Sequence, residues 1–176
     1  VEWQPFELNP HMPVEGEDLV EHIANKYGST LEQQKDSQQR MIDAGEELGF
    51  TFDYFEGMRM ANTRDAHVLL EFAHEKGKQT ELKMRLMTAF FSERKDVSDR
   101  NVLAEALKDV GLDVEKGMAR LDNDSFRYEV TSKEQYWQGL GVSSVPTFVF
   151  DKKSALTGAQ PVDVFKQVLT EMLQEA

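Results

Sequence analysis

Apolar positions along the chain recur mostly at helical spacing, with short alternating runs at the two ends. Val1-Glu2-Trp3-Gln4 alternates, Pro5 shifts the phase, and Phe6-Glu7-Leu8 alternates again. This predicts an edge strand with a bulge at Pro5, closed by an Asn9-Pro10 turn. His11 to Gly16 is a loop. From Glu17 the period changes: Leu19, Ile23 and Tyr27 share one helical face, and Gly28 is placed to end it. A capping box, Ser29 with Glu32 or Thr30 with Gln33, opens a second helix that runs to about Gly49. Its turns from Gln33 to Arg40 are polar and should be solvated. Phe50 to Tyr54 is a short extended link.

Asn62 is a good N-cap for a helix carrying Ala66, Leu69, Leu70 and Ala73, stopped by Gly77. Leu82, Leu86, Met87, Phe90 and Phe91 mark the next helix. Ser98 is expected to cap a helix ending at Gly111, and Asp113 a shorter one through Leu121. A helix over about 124–139 follows. Gly141-Val142-Ser143-Ser144-Val145-Pro146 then leads into Thr147-Phe148-Val149-Phe150. A proline belongs at a strand's first residue, because further in it would remove a ladder hydrogen bond, and an X-Pro bond fixed there is a candidate for cis. Asp151-Lys152-Lys153 reads as a turn and Ser154 to Thr157 as a returning strand. Val162, Phe165, Val168, Leu169 and Met172 pattern a last helix. No repeat or low-complexity tract interrupts this order.

Composition narrows the function classes. The chain has 176 residues, enough to bury a real core, as one domain or as a small core with a large insertion. A net charge of −12 repels phosphate backbones, so we expect no nucleic-acid partner. No apolar run approaches the roughly 20 residues that span a bilayer, so we expect no membrane partner. The chain contains no cysteine, hence no thiol nucleophile, disulfide or thiolate metal site of its own. Composition leaves the compartment weakly constrained, and we expect the cytoplasm.

The remaining candidate chemistry is thin. His67 and His74 lie seven residues apart, too far for a simple chelate, and no H-E-x-x-H pattern appears, so no metal site is expected. Ser143 and Ser144 lack a G-x-S-x-G elbow and read as loop residues. Gly139-Leu140-Gly141 lacks the context of a dinucleotide site. Trp3, Trp137, Phe90 and Phe91 read as core, and the acidic residues as solvated surface.

Four segments together resemble the DsbA-like branch of the thioredoxin superfamily, in particular FrnE-type dithiol-disulfide isomerases near the 2-hydroxychromene-2-carboxylate isomerases. They are Trp3-Gln4-Pro5-Phe6-Glu7-Leu8-Asn9-Pro10, Asn62-Thr63-Arg64-Asp65-Ala66-His67, Gly141 to Val149, and Gly158-Ala159-Gln160-Pro161. The resemblance implies an α/β, thioredoxin-like core carrying a large all-helical insertion. Residues 1–16 would form the second core strand, 17–123 the insertion, and 124–176 the cis-proline loop, β-hairpin and last helix. The family's opening strand, Cys-x-x-Cys and helix, a unit of roughly 30 residues or more, is absent from this chain. Without it the sheet keeps open edges, so we expect a truncated chain or an association, such as a homodimer, that completes the sheet.

The implied activity is thiol–disulfide exchange on protein or peptide substrates, a protein-disulfide oxidoreductase or isomerase reaction. With no cysteine this chain has no catalytic residue to assign and should be redox-inactive as written. The resemblance assigns substrate contact to Val145 and Pro146, where an extended peptide could pair with the Val145 backbone as an added strand. It also points to Asn62 and to His67, the latter as a structural or pocket-lining group. No cofactor is expected. Two alternatives share the architecture: a glutathione-dependent isomerase or kappa-like transferase, which would use glutathione, and a non-catalytic peptide-binding module.

Overall fold

The computed structural model describes residues 1–174 and divides into two compact units, 1–134 and 135–174. The order is β1 (Glu17–Asp18), α1 (Leu19–Tyr27), α2 (Leu31–Glu47), β2 (Arg59–Met60), α3 (Arg64–Glu75), α4 (Gln79–Phe91), α5 (Arg100–Asp109) and α6 (Val114–Leu121). α7 (Asp124–Gly139), β3 (Thr147–Phe150), β4 (Ser154–Thr157) and α8 (Val162–Gln174) complete it.

In the first unit the apolar stripes of α3 to α7 meet in one core, with Phe72, Leu69, Leu82, Leu103, Leu107, Leu121 and Val130 fully buried. The helix ends follow local chemistry. Asp18 caps α1 by accepting from the N–H groups of Val20 and Glu21, and Gly28 ends it at φ 67°. A non-glycine residue would resist that left-handed conformation. Of the two capping boxes open to α2, the chain uses Thr30 with Gln33. α3 begins one residue later than its spacing suggests. Thr63 holds the cap position without a side-chain bond, and Asn62 Oδ1 accepts from Arg64 N–H instead. Asp99, not Ser98, caps α5, because Ser98 is bonded through both its N–H and its hydroxyl to Asp96.

One further expectation is corrected. Residues 1–8 form no strand: a ladder needs a partner strand, and here side chains take that part. Gln79 donates to the Trp3 carbonyl at 2.8 Å and accepts from the Trp3 N–H at 3.0 Å, while Trp3 Nε1–H reaches Thr80. The inward residues are Pro5 and Glu7, and Leu8 is exposed, so the alternation does not mark the buried face. Phe50 to Tyr54 is a link outside helix and strand. It is held by edge-on contacts of Phe50 and Phe52 with each other and of Phe52 with Phe91, and by a bond from Asp53 N–H to the Phe91 carbonyl.

The second unit is a hairpin and a helix. β3 and β4 pair antiparallel from Thr147 opposite Thr157 to Phe150 opposite Ser154. Asp151 and Lys152 both take positive φ, and Lys153 N–H closes the turn on the Phe150 carbonyl, the geometry of a type I′ turn. Phe148 stacks edge-on against Phe165 of α8 at 4.7 Å between ring centres. No described residue from 135 onward is fully buried, and Phe148 and Val149, on opposite faces of the hairpin, are both exposed. Among the described residues no helix is long and apolar enough to cross a membrane.

Candidate functional site

The loop before β3 is built by short-range bonds. Thr147 Oγ1 donates to the Ser144 carbonyl at 2.7 Å, and Gly158 N–H donates to the Pro146 carbonyl at 2.8 Å. These two bonds anchor the loop on both sides of Val145, and the Val145–Pro146 peptide bond between them is cis. Val145 is 43% exposed, and its backbone N–H and C=O make no hydrogen bond among the described residues. Together they offer one donor and one acceptor beside the start of a strand, which is what an extended peptide needs to join a sheet edge. Ser143 and Ser144 remain loop residues.

Asn62 and His67 both lie in the first unit, Asn62 just before α3 and His67 in its first turn. Both ends of the Asn62 amide are used: Nδ2 donates to the Met12 carbonyl at 2.7 Å and Oδ1 accepts from Arg64. Asn62 therefore fixes the 9–12 turn against the start of α3. His67 is partly buried, and its imidazole is pushed down to about 4 by burial and by the nearby charge of Lys83, against a hydrogen bond to the Phe6 backbone that favours the proton. Its ring is neutral near pH 7, so it is a packing and hydrogen-bonding group there. Lys83 in turn lies over the Trp3 ring, 4.8 Å from its centre, and burial lowers its own pKa.

One polar cluster in the same region has no signature in the sequence. Glu7 and Glu134 are each 5% exposed; Arg64 Nε donates to Glu7 Oε2 at 3.1 Å, and Arg64 Nη2 forms an ion pair with the same oxygen at 3.0 Å. Arg64 also reaches the Pro10 carbonyl. Nothing in the spacing of Glu7 within an alternating segment separates a buried carboxylate from a solvated one. Among the described residues no group of three or more histidines and carboxylates could hold a metal ion.

A helical unit joined to a β-hairpin and closing helix, with a proline at the hairpin's mouth, is the arrangement of a DsbA-like thioredoxin protein. The DSBA-like thioredoxin domain matches residues 1–170, and the chain belongs to that family. It is similar to the probable DsbA oxidoreductase SCO1869 of Streptomyces coelicolor, at TM-score 0.89 and 29% identity over 97% of this chain and 74% of that one. A proposed protein disulfide isomerase from Nitrosomonas europaea shares the fold at TM-score 0.69 and 17% identity, over 89% of this chain and 88% of its own. The uncharacterized protein YwbO of Bacillus subtilis is 27% identical over 172 residues, 97% of this chain and 81% of the relative.

Proposed function

We propose that this chain is the substrate-holding part of a FrnE-type, DsbA-like protein thiol–disulfide oxidoreductase. Its role is to dock an extended protein or peptide segment on the Val145 backbone. The observation that carries this reading is the exposed, unpaired backbone of Val145 at the mouth of β3. Such docking draws its affinity from main-chain bonds and tolerates many side chains, which suits a protein that handles varied substrates. Family membership and the likeness to a probable DsbA oxidoreductase support the same direction.

In thiol–disulfide exchange a thiolate attacks one sulfur of a disulfide, a mixed disulfide forms, and the other sulfur leaves as a thiolate. None of the 176 residues carries a thiol, so no step of that exchange runs on this chain's own atoms. Its contribution is to bring a substrate to rest along β3, with Pro146 and Thr147 shaping the loop from one side. Asn62 and His67 contribute by holding the 9–12 turn and the first turn of α3 in place. The test is a binding titration with an unfolded, S-alkylated peptide, followed at the Val145 amide, together with an insulin-reduction assay. We expect saturable binding and no reductase activity.

A further inference from the structure

The chain contains no cysteine, so the thioethers of its eight methionines are the only oxidisable sulfurs it carries. How fast each is oxidised follows its access to the oxidant. Met12 and Met58 are buried, and Met60, Met87, Met118 and Met172 are half-buried. Met41 on α2 and Met84 on α4, each 44% exposed, are open to solvent.

The two differ in what depends on them. α2 is a largely solvated helix whose buried residues are Gln34 and Gly45. Gln34 ties its first turns to α1, donating from Nε2 to the Val20 carbonyl at 3.1 Å. Gly45 ties its last turn to the following link, where Phe50 N–H donates to the Gly45 carbonyl at 2.8 Å. Between these anchors α2 borders an open groove that Leu19 and Ile23 of α1 and Phe91 of α4 also line. Among the described residues Met41 is the one apolar side chain that α2 brings to this groove; its other lining residues, from Gln33 to Arg40, are polar. A thioether adapts its shape to such a wall and packs well beside aromatic rings. Met84 lines no part of the groove.

We propose that Met41 is a redox modification site, oxidised to the sulfoxide by a hydroperoxide, and that the modified side chain loosens the middle of α2 from the groove. In this step the Met41 sulfur attacks the terminal oxygen of the hydroperoxide, and the S–O bond forms as the O–O bond breaks. Sulfur is oxidised by two electrons and the hydroperoxide is reduced. The hydroxyl proton passes to the leaving oxygen, giving an alcohol, or water where the oxidant is hydrogen peroxide. The sulfoxide oxygen is a strong acceptor, and the Leu19, Ile23 and Phe91 side of the groove offers it no side-chain donor, so burying it there is unfavourable. From its exposed position the side chain turns to water instead, and α2 loses its apolar contact. The helix then rests on Gln34 and Gly45 at its two ends. The change is reversible, because reductases return a methionine sulfoxide to the thioether. It lies wholly within the first unit and is independent of the Val145 loop.

The unaltered chain is treated with hydrogen peroxide while mass mapping follows each methionine and hydrogen–deuterium exchange follows α2. We expect Met41 and Met84 to be oxidised about tenfold faster than Met12 and Met58. Exchange over residues 36–44 should quicken by about tenfold in step with the Met41 sulfoxide, and a methionine sulfoxide reductase should slow it again. Met41→Leu, which keeps the bulk and removes the sulfur, should abolish the response of α2 to peroxide, and Met84→Leu should leave it intact. If Met41→Leu does not fold, the time course on the unaltered chain decides, since α2 exchange must track Met41 oxidation. Oxidation of Met41 no faster than that of Met12 and Met58, α2 exchange unmoved by the Met41 sulfoxide, or a full response in Met41→Leu would each overturn the proposal.

Discussion

The Glu7 N–H donates to Glu134 Oε1 at 2.6 Å, across 127 residues of sequence, and both side chains are buried. The contact ties the N-terminal segment to α7. Burial raises the Glu134 pKa; the Glu7 N–H and Arg64 pull it down, whereas the charge of Glu7 and a bond to its side chain push it up. Glu134 therefore holds its proton to higher pH than a solvated glutamate would.

Because the folded pKa of Glu134 exceeds its unfolded value, the stabilisation it gives is fully present in acid and is lost as pH rises through the raised value. Glu134→Gln mimics the protonated form: its oxygen accepts from Glu7 N–H and its amide donates to the Glu7 carboxylate. This variant should remove that alkaline loss and shift stability at the acid end by less than about 1 kcal/mol. Glu134→Ala strands a buried donor and should cost about 1–3 kcal/mol. Urea midpoints measured against pH for the three proteins check both outcomes.

His67 acts in the opposite direction. Its folded pKa, about 4, lies below the ordinary 6.5, so its contribution is present above pH 6.5 and disappears as pH falls towards 4. The imidazole proton resonance of His67 should stay constant from pH 8 to pH 5 and move only below that. A titration centred near 6.5 would show that the ring is open to water.

Gly45 is buried in α2 with no room for a methyl group. A Cβ there would sit 2.5 Å from the Phe50 carbonyl oxygen and 2.6 Å from the Phe52 ring. Alanine normally favours a helix interior by about 1 kcal/mol over glycine. Here the clash with backbone should dominate, and Gly45→Ala should destabilise by about 1–3 kcal/mol in thermal or urea unfolding.

The Gln79 side chain serves both backbone groups of Trp3 and is itself buried. Gln79→Ala should free the N-terminal segment, seen as faster amide exchange at Trp3, and cost about 1–3 kcal/mol. Unchanged exchange at Trp3 would mean that the segment is held elsewhere.

The helices were legible in the sequence because their signals are local. The Leu19, Ile23 and Tyr27 stripe, the Thr30–Gln33 box and the Asp113 cap each lie within a few residues of the structure they specify. So were the β3–β4 turn and the proline ahead of it. Residues 1–8 were not, since an alternating run cannot say whether a strand or a side chain such as Gln79 will meet it. Gln34, Gln79, Glu7 and Glu134 were missed for one physical reason: their burial is decided by distant segments, and in their own helices or loops they read as solvated. The loop at Val145 and Pro146 was legible from its composition as a proline-led entry into β3, while its part in docking a substrate rests on the family resemblance. Asn62 was legible as a residue at the start of α3, though it acts one position earlier than expected.

The central claim is that Val145 offers its backbone to an extended substrate, and a heteronuclear NMR titration tests it most directly. Unfolded, S-alkylated peptide is added to the labelled chain while the amides of Val145 and Thr147 are followed. The account predicts saturable shifts at both, together with slowed amide exchange at Val145. Saturable peptide binding that leaves these two amides unmoved, or no binding at all, would contradict it.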